Sequence, residues 1–282
     1  MNTIMLGVIR MAKRSRIWNK TSYERRVKSG RGIGEGPSYQ PWISVHDFSS
    51  RGTINRVKGW KTGRIHHFMS NNELNYFFLL EWADEVIDIR EQYPLEVSLT
   101  LEISATAGIR HPRDSQNGFP YVLTSDFLIT TANGLKARTI KMSCELDNPR
   151  VLEKLEIERR YWAEHDVDWG LVTEKEINRQ KAKNIEWLHS ARILSGLPYE
   201  SMPIVAMLTE IALFYQDTDN SVLDICNHID SVYAVSPGTG LTLFKHLVAN
   251  KQLPFDINKR PDLAKRRAAQ PKLHVYGRQI AI

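Results

Sequence analysis

The 282-residue chain is 42% hydrophobic and 25% charged, a composition typical of a folded protein with one large domain or two smaller ones. Its net charge of +6 and pI near 9.2 favour a polyanionic partner, nucleic acid first and an anionic membrane surface second. Two cysteines are too few for a disulfide framework or a four-thiolate zinc site, and no apolar run approaches the roughly 20 residues of a membrane span.

The basic residues concentrate at the two ends of the chain. Residues 1–31 hold nine Lys and Arg against the single acid Glu24, and residues 251–282 hold eight against Asp256 and Asp262. Basic ends around a near-neutral middle suit contact with a polyanion such as nucleic acid, and basic tails without such a partner are the alternative.

The first residues do not resemble a secretory signal peptide. MNTIMLGVIR places its apolar stretch before the charges of MAKRSR, which reverses the order found in a signal. We therefore expect a cytoplasmic protein. Met11 is a second candidate for the start of the chain, beside Met1.

A glycine-rich arm, GRGIGEGPSYQPW, occupies residues 30–42. Its alternating glycines are too flexible for a helix or a central strand. The arm does not follow a predicted strand and lacks the Gly-Lys-Ser/Thr ending of a P-loop, so it is not a nucleotide-binding fingerprint. Phosphate contact through its backbone N–H groups stays open.

The central part of the chain alternates predicted helices and strands. Its first helix has Ser70 as a candidate N-cap, and the buried strand that follows is expected to turn away at Pro94 after a short apolar run. In chain order we predict a helix at 70–83, a strand at 86–89, a hairpin at 125–143, a helix at 149–165, a strand at 167–173 and a helix at 181–194. This order describes an α/β protein with a mixed sheet and flanking helices.

The pattern changes near residue 189, where helical runs replace the alternation. Three predicted helices follow, with a turn at SPGTG (236–240) before the last of them and a short predicted strand at LPFDI (253–257) after it. Helix, tight turn, helix and an extended basic segment outline a helix-turn-helix with a wing. We therefore predict two domains, 1–188 and 189–282.

The hairpin carries the first candidate site. Asn133-Gly134 predicts a two-residue type I′ turn, in which Asp126 faces Lys141 across the two strands. Alternation gives this pair a mostly polar face, opposite a core face. The predicted core face carries Phe127, Ile129, Ile140 and Met142. A surface ion pair and half of a metal site are both open interpretations of the pair.

Phosphodiester hydrolysis with hard cations requires carboxylates that converge on one or two Mg²⁺ and a cation near the attacking water or the developing charge. Asp126 and Lys141 provide one carboxylate and one ammonium. Glu73, at the start of the 70–83 helix, is a candidate for a second carboxylate. The run Ser70-Asn71-Asn72-Glu73 also fits a capping box, and the two roles are compatible.

Several runs between residues 23 and 189 occur together in one order: GRGIGEGPSYQPW, KTGRIHHFMSNNEL, LEWADEVIDIREQYPL, TSDFLI, LEKLEIERRYW and EINRQKAKNIEWL. Together they closely resemble the TnsA family, the endonuclease subunits of heteromeric cut-and-paste bacterial transposases. Beyond residue 189 the resemblance is weaker.

The resemblance implies a restriction-endonuclease-like catalytic domain followed by a winged-helix-type domain that contacts partners and DNA. It implies a metal-dependent endonuclease subunit that hydrolyses the strand at the 5′ ends of the transposon. The implied cofactor is Mg²⁺, as two ions, with Mn²⁺ as a substitute. Transposon-end DNA, a DDE-type partner transposase that cuts the 3′ ends and an AAA+ regulator ATPase are the implied partners, and no membrane is involved.

Carried over residue by residue, the glutamate of the family falls on Glu73, its aspartate on Asp126 and its lysine on Lys141. The two carboxylates are the implied metal ligands, together with the backbone carbonyl of Ile140. Where family members carry Gln or Glu two residues before the lysine, this chain has Thr139, a poorer ligand than an amide or carboxylate oxygen.

Two further acids are candidates near this site. Glu145 would share the face of Lys141 if the strand extends so far, and would then substitute for the missing ligand. Glu158, on the 149–165 helix, is a candidate neighbour of the site, with a solvated helix face as the alternative.

Two other functions stay open. A stand-alone restriction or junction-cleaving nuclease would share the catalytic core and differ in its partners. A non-catalytic DNA-binding adaptor would keep only the C-terminal role. Thr139 favours the adaptor, whereas the intact set of Glu73, Asp126 and Lys141 favours the nuclease.

Overall fold

The computed structural model describes residues 17–47, 55–194, 203–217 and 219–265, which divide into two compact units. The sheet unit comprises the described residues up to Ser70 together with Glu85–Thr173. The helical unit comprises Asn71–Asp84 and the described residues from Glu174 onward. Within these ranges, no helix is long and apolar enough to cross a membrane.

The helices and strands are numbered in chain order. The helices are α1 (Lys20–Lys28), α2 (Asn71–Trp82), α3 (Val97–Thr106), α4 (Pro149–Glu164), α5 (Arg179–His189), α6 (Ile204–Gln216), α7 (Val222–Val232) and α8 (Thr239–Ala249). The strands are β1 (Asn55–Lys58), β2 (Ile65–Phe68), β3 (Val86–Pro94), β4 (Thr124–Thr131), β5 (Gly134–Ile140) and β6 (Asp168–Val172).

The sheet unit is built on a four-stranded sheet in the order β3-β4-β5-β6. The first two pairings are antiparallel, and β6 adds in parallel to β5. Strands β1 and β2 form a separate antiparallel pair. The predicted α/β class with a mixed sheet is confirmed. The buried strand predicted at 86–89 is longer than expected, because β3 continues to Pro94.

The hairpin of β4 and β5 is present, but its register differs by two residues from the predicted one. Thr131 pairs with Gly134, so the connecting residues are Ala132 and Asn133. A type I′ turn at Asn133-Gly134 would need positive φ at both positions, and only Gly134 has it, with φ of 114°. The predicted turn type is therefore wrong, although a shift of two residues leaves every side chain on its predicted face.

The face of the hairpin that was expected to be mostly polar is also covered. Leu128 of β4 and Ala137 of β5 lie in a buried cluster with Ile157, Tyr161 and Trp162 of α4. Strands buried on both faces lose the simple alternation on which the prediction rested. The candidate site therefore lies against a helix instead of open solvent.

Two helices of the sheet unit were not predicted. Helix α3, VSLTLEISAT, is rich in residues that favour strands, yet it buries Thr100, Ile103 and Ser104 at helical spacing. Helix α1 begins after Asn19, whose side-chain oxygen accepts a hydrogen bond from the backbone N–H of Ser22 at 2.9 Å. Packing and capping, more than propensity, account for these two helices.

The helical unit contains the three predicted C-terminal helices, α6, α7 and α8. Helix α8 packs against α5, α6 and α7, and most of its residues are buried. Gly240 allows the close approach of α8 to α7, because a Cβ there would lie 2.4 Å from the carbonyl oxygen of Cys226. A recognition helix exposes one face to DNA, whereas α8 is enclosed.

The strand predicted at 253–257 is wrong, since the described residues 219–265 contain no strand. These residues therefore do not form the wing that the winged-helix prediction requires. Helix α2 and helix α5 pack together in the helical unit, whereas the predicted division at 188/189 assigned both to the first domain. As a division by function, that boundary stays a prediction.

A buried ion cluster links β2 to β3 beside the glycine-rich arm. The carboxylate of Glu91, which is 1% exposed, accepts hydrogen bonds from the Arg64 guanidinium at 2.8 and 2.5 Å. His66 Nδ1 lies 2.8 Å from Glu91 Oε2. Burial by itself raises the pKa of Glu91, but His66 and Arg64 outweigh it and lower this pKa to about 2.

Replacing Glu91 with glutamine will destabilise the sheet unit at neutral pH, because it leaves the buried Arg64 guanidinium without its counter-charge. The expected loss is on the order of 3 kcal/mol, measured by urea unfolding. Since the folded-state pKa of Glu91 lies below its unfolded value, the wild-type advantage holds above about pH 4.5 and fades as the pH falls towards 2. Glu153→Gln, in a half-exposed pair with Arg150, is the control and should cost little. A loss that did not change with pH would contradict this assignment.

Candidate active site

Asp126 and Lys141 lie together at the end of the β4–β5 hairpin. The Nζ atom of Lys141 is 3.5 Å from Asp126 Oδ2, and the backbone N–H of Ile140 donates to the same oxygen at 2.7 Å. In the observed register Phe127, the residue after Asp126, pairs with Arg138, and Lys141 is the first residue after β5. The predicted proximity of the acid and the lysine is thus present, by a different register from the one expected.

The lysine also contacts the backbone of its own strand. Lys141 Nζ donates to the carbonyl oxygen of Ile140 at 2.9 Å, and the Lys141 backbone N–H donates to the carbonyl of Val172 in β6 at 3.1 Å. The pairing of β5 with β6 therefore fixes the start of the segment that carries the ammonium. One carboxylate, one ammonium and one backbone carbonyl meet at this corner.

A second carboxylate lies behind this corner, on α4. Glu158 is 5% exposed, and its Oε1 atom accepts hydrogen bonds from the hydroxyls of Thr139 and of Ser125, the latter at 2.5 Å. Burial raises the pKa of Glu158 to about 7, with a contribution in the same direction from the charge of Asp126, while the two hydroxyls act against it. Glu158 is therefore a buried neighbour of the site, and the solvated-face alternative is wrong.

The Thr139 hydroxyl is engaged in the hydrogen bond to Glu158. Its side chain is buried and donates to Glu158, which gives it a structural partner inside the sheet unit. The indole N–H of Trp162 donates to Ser125 Oγ at 2.7 Å, so α4 contacts both strands of the hairpin. Nothing in the local sequence marked Ser125 as part of this cluster.

Glu145 does not lie on β5. The strand ends at Ile140, and Glu145 closes a short 3₁₀ helix, Ser143–Glu145, in which its carboxylate accepts the backbone N–H of Met142 at 3.0 Å. The expectation that it shares a strand face with Lys141 is therefore wrong.

Glu73 lies in the first turn of α2, as predicted, and its side chain is buried. It belongs to the helical unit, whereas Asp126 and Lys141 belong to the sheet unit. Its convergence with them stays a prediction. Leu74, Phe77 and Phe78 of the same helix are also buried.

Gln92, which no sequence motif singled out, contacts the candidate acid directly. Its side-chain amide donates to Asp126 Oδ1 at 3.3 Å and accepts from the hydroxyl of Thr124 at 3.2 Å. Gln92 is buried within β3 and has a φ of 49°, a left-handed conformation that is uncommon for a residue other than glycine. No sequence signal predicts such a backbone at a glutamine.

The glycine-rich arm does not offer bare amides over its first residues. The N–H groups of Gly30, Arg31, Gly32 and Ile33 all donate to backbone carbonyls. Phosphate binding by these four groups, an open hypothesis from the sequence, is therefore not supported.

The atoms at the corner suit a hard divalent cation. Mg²⁺ binds through oxygen, commonly to one or two carboxylates with water completing its shell. The Asp126 carboxylate and the Ile140 carbonyl are ligands of this type. The described residues contain no group of three or more His, Cys, Asp or Glu side chains arranged around a common point. A site built on few carboxylates is compatible with Mg²⁺ and unlike a structural zinc site.

Comparison with known proteins agrees with the motif pattern. A family model described as TnsA-like endonuclease N terminal matches residues 83–174, and one described as TnsA endonuclease C terminal matches residues 176–257. The chain is also 38% identical over 253 residues to the transposon Tn7 transposition protein TnsA of Escherichia coli, an alignment that covers 88% of this chain and 90% of that protein. The chain therefore belongs to the TnsA endonuclease family.

Proposed function

We propose that this chain is the endonuclease subunit of a transposase and hydrolyses the DNA strand at the 5′ ends of the transposon. The observation that carries the proposal is the corner of the sheet unit where the Asp126 carboxylate, the Lys141 ammonium and the Ile140 carbonyl meet. It lies within the segment that matches the N-terminal family model. An adaptor that only binds DNA would not need a buried carboxylate held by several donors.

The proposed cofactor is Mg²⁺, as two ions, for which Mn²⁺ would substitute. Asp126 and the Ile140 carbonyl would hold it, and we propose Glu73 as a further carboxylate ligand. A bound divalent cation supplies Lewis acidity towards phosphate oxygens and lowers the pKa of a coordinated water. Thr139 is a doubtful ligand, because its hydroxyl donates to Glu158.

The residues of the chain set the orientation and charge of this corner. The Ile140 N–H and the Gln92 amide donate to different oxygens of Asp126 and so fix its carboxylate. Lys141 brings a positive charge that would stabilise the developing charge on phosphate or orient the attacking water. Glu158, whose pKa is raised to about 7, is largely uncharged below neutral pH, which limits its repulsion of Asp126.

The proposed partners follow from the family and from the charge of the chain. The Escherichia coli relative is named as a transposition protein. We propose that this chain acts on transposon-end DNA together with a DDE-type transposase that cuts the 3′ ends, and that an AAA+ ATPase regulates the complex. The net charge of +6 suits the DNA, and residues 189–282 are proposed for partner and DNA contact.

Strand-specific cleavage mapping tests this function. With purified partners, Mg²⁺ and end-labelled transposon DNA, cuts should form at both the 5′ and the 3′ ends. Omitting this chain should remove the 5′ cuts, whereas a 3′ cut made by the partner should remain. Unchanged 5′ cutting without the chain would support the adaptor. Cutting of arbitrary DNA by the chain alone would support the stand-alone nuclease.

A further inference from the structure

Gln92 contacts the candidate metal ligand from a strand that supplies no other member of the site. Its amide lies 3.3 Å from Asp126 Oδ1. A carboxylate oxygen only accepts hydrogen bonds, so the amide nitrogen must face it, and the amide oxygen then faces the Thr124 hydroxyl at 3.2 Å. This orientation turns the amide oxygen of Gln92 away from Asp126. Gln92 is thereby suited to orient the acid and unsuited to replace it as a ligand.

The two oxygens of Asp126 have different partners. Oδ2 accepts the Ile140 N–H and lies near Lys141, whereas the Gln92 amide contacts Oδ1. Each carboxylate oxygen has two lone pairs. One donor on each side fixes the plane of the carboxylate and leaves a lone pair of Oδ1 for a cation. Groups that hydrogen-bond to metal ligands in this way commonly tune metal affinity.

The backbone of Gln92 is held in a conformation that the residue does not favour. Its φ of 49° lies in the left-handed region within a buried strand. Such a conformation is strained for a residue other than glycine and persists where the surroundings determine it. Here the backbone N–H of Trp42 donates to the Gln92 carbonyl at 3.2 Å, and the hydroxyl of Tyr39 donates to the carbonyl of Glu91 at 3.1 Å.

These two donors come from the glycine-rich arm, residues 30–42. The arm therefore hydrogen-bonds to β3 at the residue whose side chain contacts Asp126. A glycine in place of Gln92 would adopt the same φ without strain, yet this chain has a residue with a long amide side chain. The backbone conformation alone does not explain the glutamine, because it is the side chain that reaches Asp126.

We propose that Gln92 is a positioning residue of the active site, which orients the Asp126 carboxylate for the divalent cation and is itself oriented by the glycine-rich arm. This inference rests on the proposed function, because it assigns Gln92 a role towards the proposed metal. The role is exerted through Asp126.

Two substitutions separate the side chain from the backbone. Gln92→Gly removes the amide and relieves the left-handed strain, whereas Gln92→Met keeps a side chain of similar length and removes both the donor to Asp126 and the acceptor for the Thr124 hydroxyl. Asp166, in the turn after α4, also has a left-handed φ of 53°, so Asp166→Gly is a matched control for the release of strain. Asp126→Ala sets the level of metal binding without the ligand.

The first readout is Mn²⁺ binding to the full-length chain, measured by calorimetry. Both Gln92 variants should raise the dissociation constant by about 10-fold or more, because loss of a hydrogen-bonding neighbour of a ligand typically costs 10–100-fold in affinity. Asp166→Gly should bind as the wild type does. A structural role alone would lower the unfolding temperature of Gln92→Met, spare Gln92→Gly, and leave the affinity of folded protein unchanged.

The second readout is the Mg²⁺ dependence of 5′ cleavage in the assembled reaction. The Mg²⁺ concentration for half-maximal cleavage should rise by a similar factor, with a smaller fall in the rate at saturating metal. Wild-type affinity within twofold in both folded Gln92 variants would overturn the inference and leave the proposed function intact. A wild-type chain that binds no Mn²⁺ at Asp126 would overturn both.

Discussion

Asp126→Ala should abolish 5′ cleavage while the partner transposase still cuts the 3′ ends, so that each transposon end stays joined to the donor DNA on one strand. The substitution removes the proposed anionic metal ligand at the corner and the counter-charge of Lys141. The expected loss is several orders of magnitude in the rate of 5′ cleavage, because in the proposed mechanism this carboxylate anchors the metal on which hydrolysis depends. Strand-specific mapping of the products with purified partners measures it.

The fold should survive this change. Removing the carboxylate leaves the Ile140 N–H without its acceptor, at a cost of about 1–3 kcal/mol. Asp126→Asn keeps an acceptor for that N–H while it removes the charge, and should lose cleavage with a smaller loss of stability. Asp168→Ala is the matched control, since it removes an aspartate that pairs with Arg138 in the same sheet at 2.7 Å. Normal 5′ cleavage by Asp126→Ala would refute the catalytic assignment.

Hydrophobic periodicity and capping residues correctly predicted the helices and strands that have ordinary caps and one buried face. Pro149 at the start of α4 follows Asn148, whose side chain caps the helix, and this helix was predicted within a residue of its observed bounds. Helix α3 was missed because its β-branched residues favour a strand, and its burial against the rest of the sheet unit is not visible in the sequence.

The hairpin shows which part of a turn prediction is robust. Asn133-Gly134 located the turn, but the observed pairs are offset by two residues. Because strand side chains alternate with a period of two, the offset preserved the faces. The long side chain of Lys141 reaches Asp126 in either register. The candidate ion pair was therefore predictable even though the turn type was not.

The surroundings of Asp126 could not be predicted in the same way. Gln92 reaches the site from a neighbouring strand and Glu158 from α4. In the sequence they lie 34 and 32 residues from Asp126. A left-handed glutamine has no turn signature, and a buried acid on an amphipathic helix resembles a solvated one in the sequence. Tertiary packing brings these groups together.

The contacts of Thr139 also change its interpretation. In the sequence it was the departure from the family pattern that kept the adaptor interpretation open. Its hydroxyl donates to the buried Glu158, so it belongs to a hydrogen-bonded cluster behind the candidate ligand. That position suits a supporting role in a site whose proposed cation ligands are Asp126 and the Ile140 carbonyl.

Lys141→Met should lower the rate of 5′ cleavage by about 10²–10³-fold, the range typical of removing a group that stabilises developing charge. The ammonium lies 3.5 Å from Asp126 Oδ2 and 2.9 Å from the Ile140 carbonyl oxygen. Asp126 would keep its bonds from Ile140 and Gln92, so the carboxylate should stay in place. The stability change should be about 1 kcal/mol or less, since the ammonium is partly exposed.

Measurements of Mn²⁺ binding distinguish stabilisation of the developing charge by Lys141 from metal ligation by the proposed ligand Asp126. Removing a positive charge beside the proposed site should leave the affinity for Mn²⁺ unchanged or increase it, whereas Asp126→Ala should remove binding. Lys136→Met, on the same strand but opposite Ile129, is the control for loss of a lysine and should retain cleavage. The measurements are Mn²⁺ calorimetry and the rate of 5′ cleavage at saturating metal. If Lys141→Met weakened Mn²⁺ binding as much as it slowed cleavage, Lys141 would act by holding the metal site together, and its assignment to the reacting phosphate would be wrong.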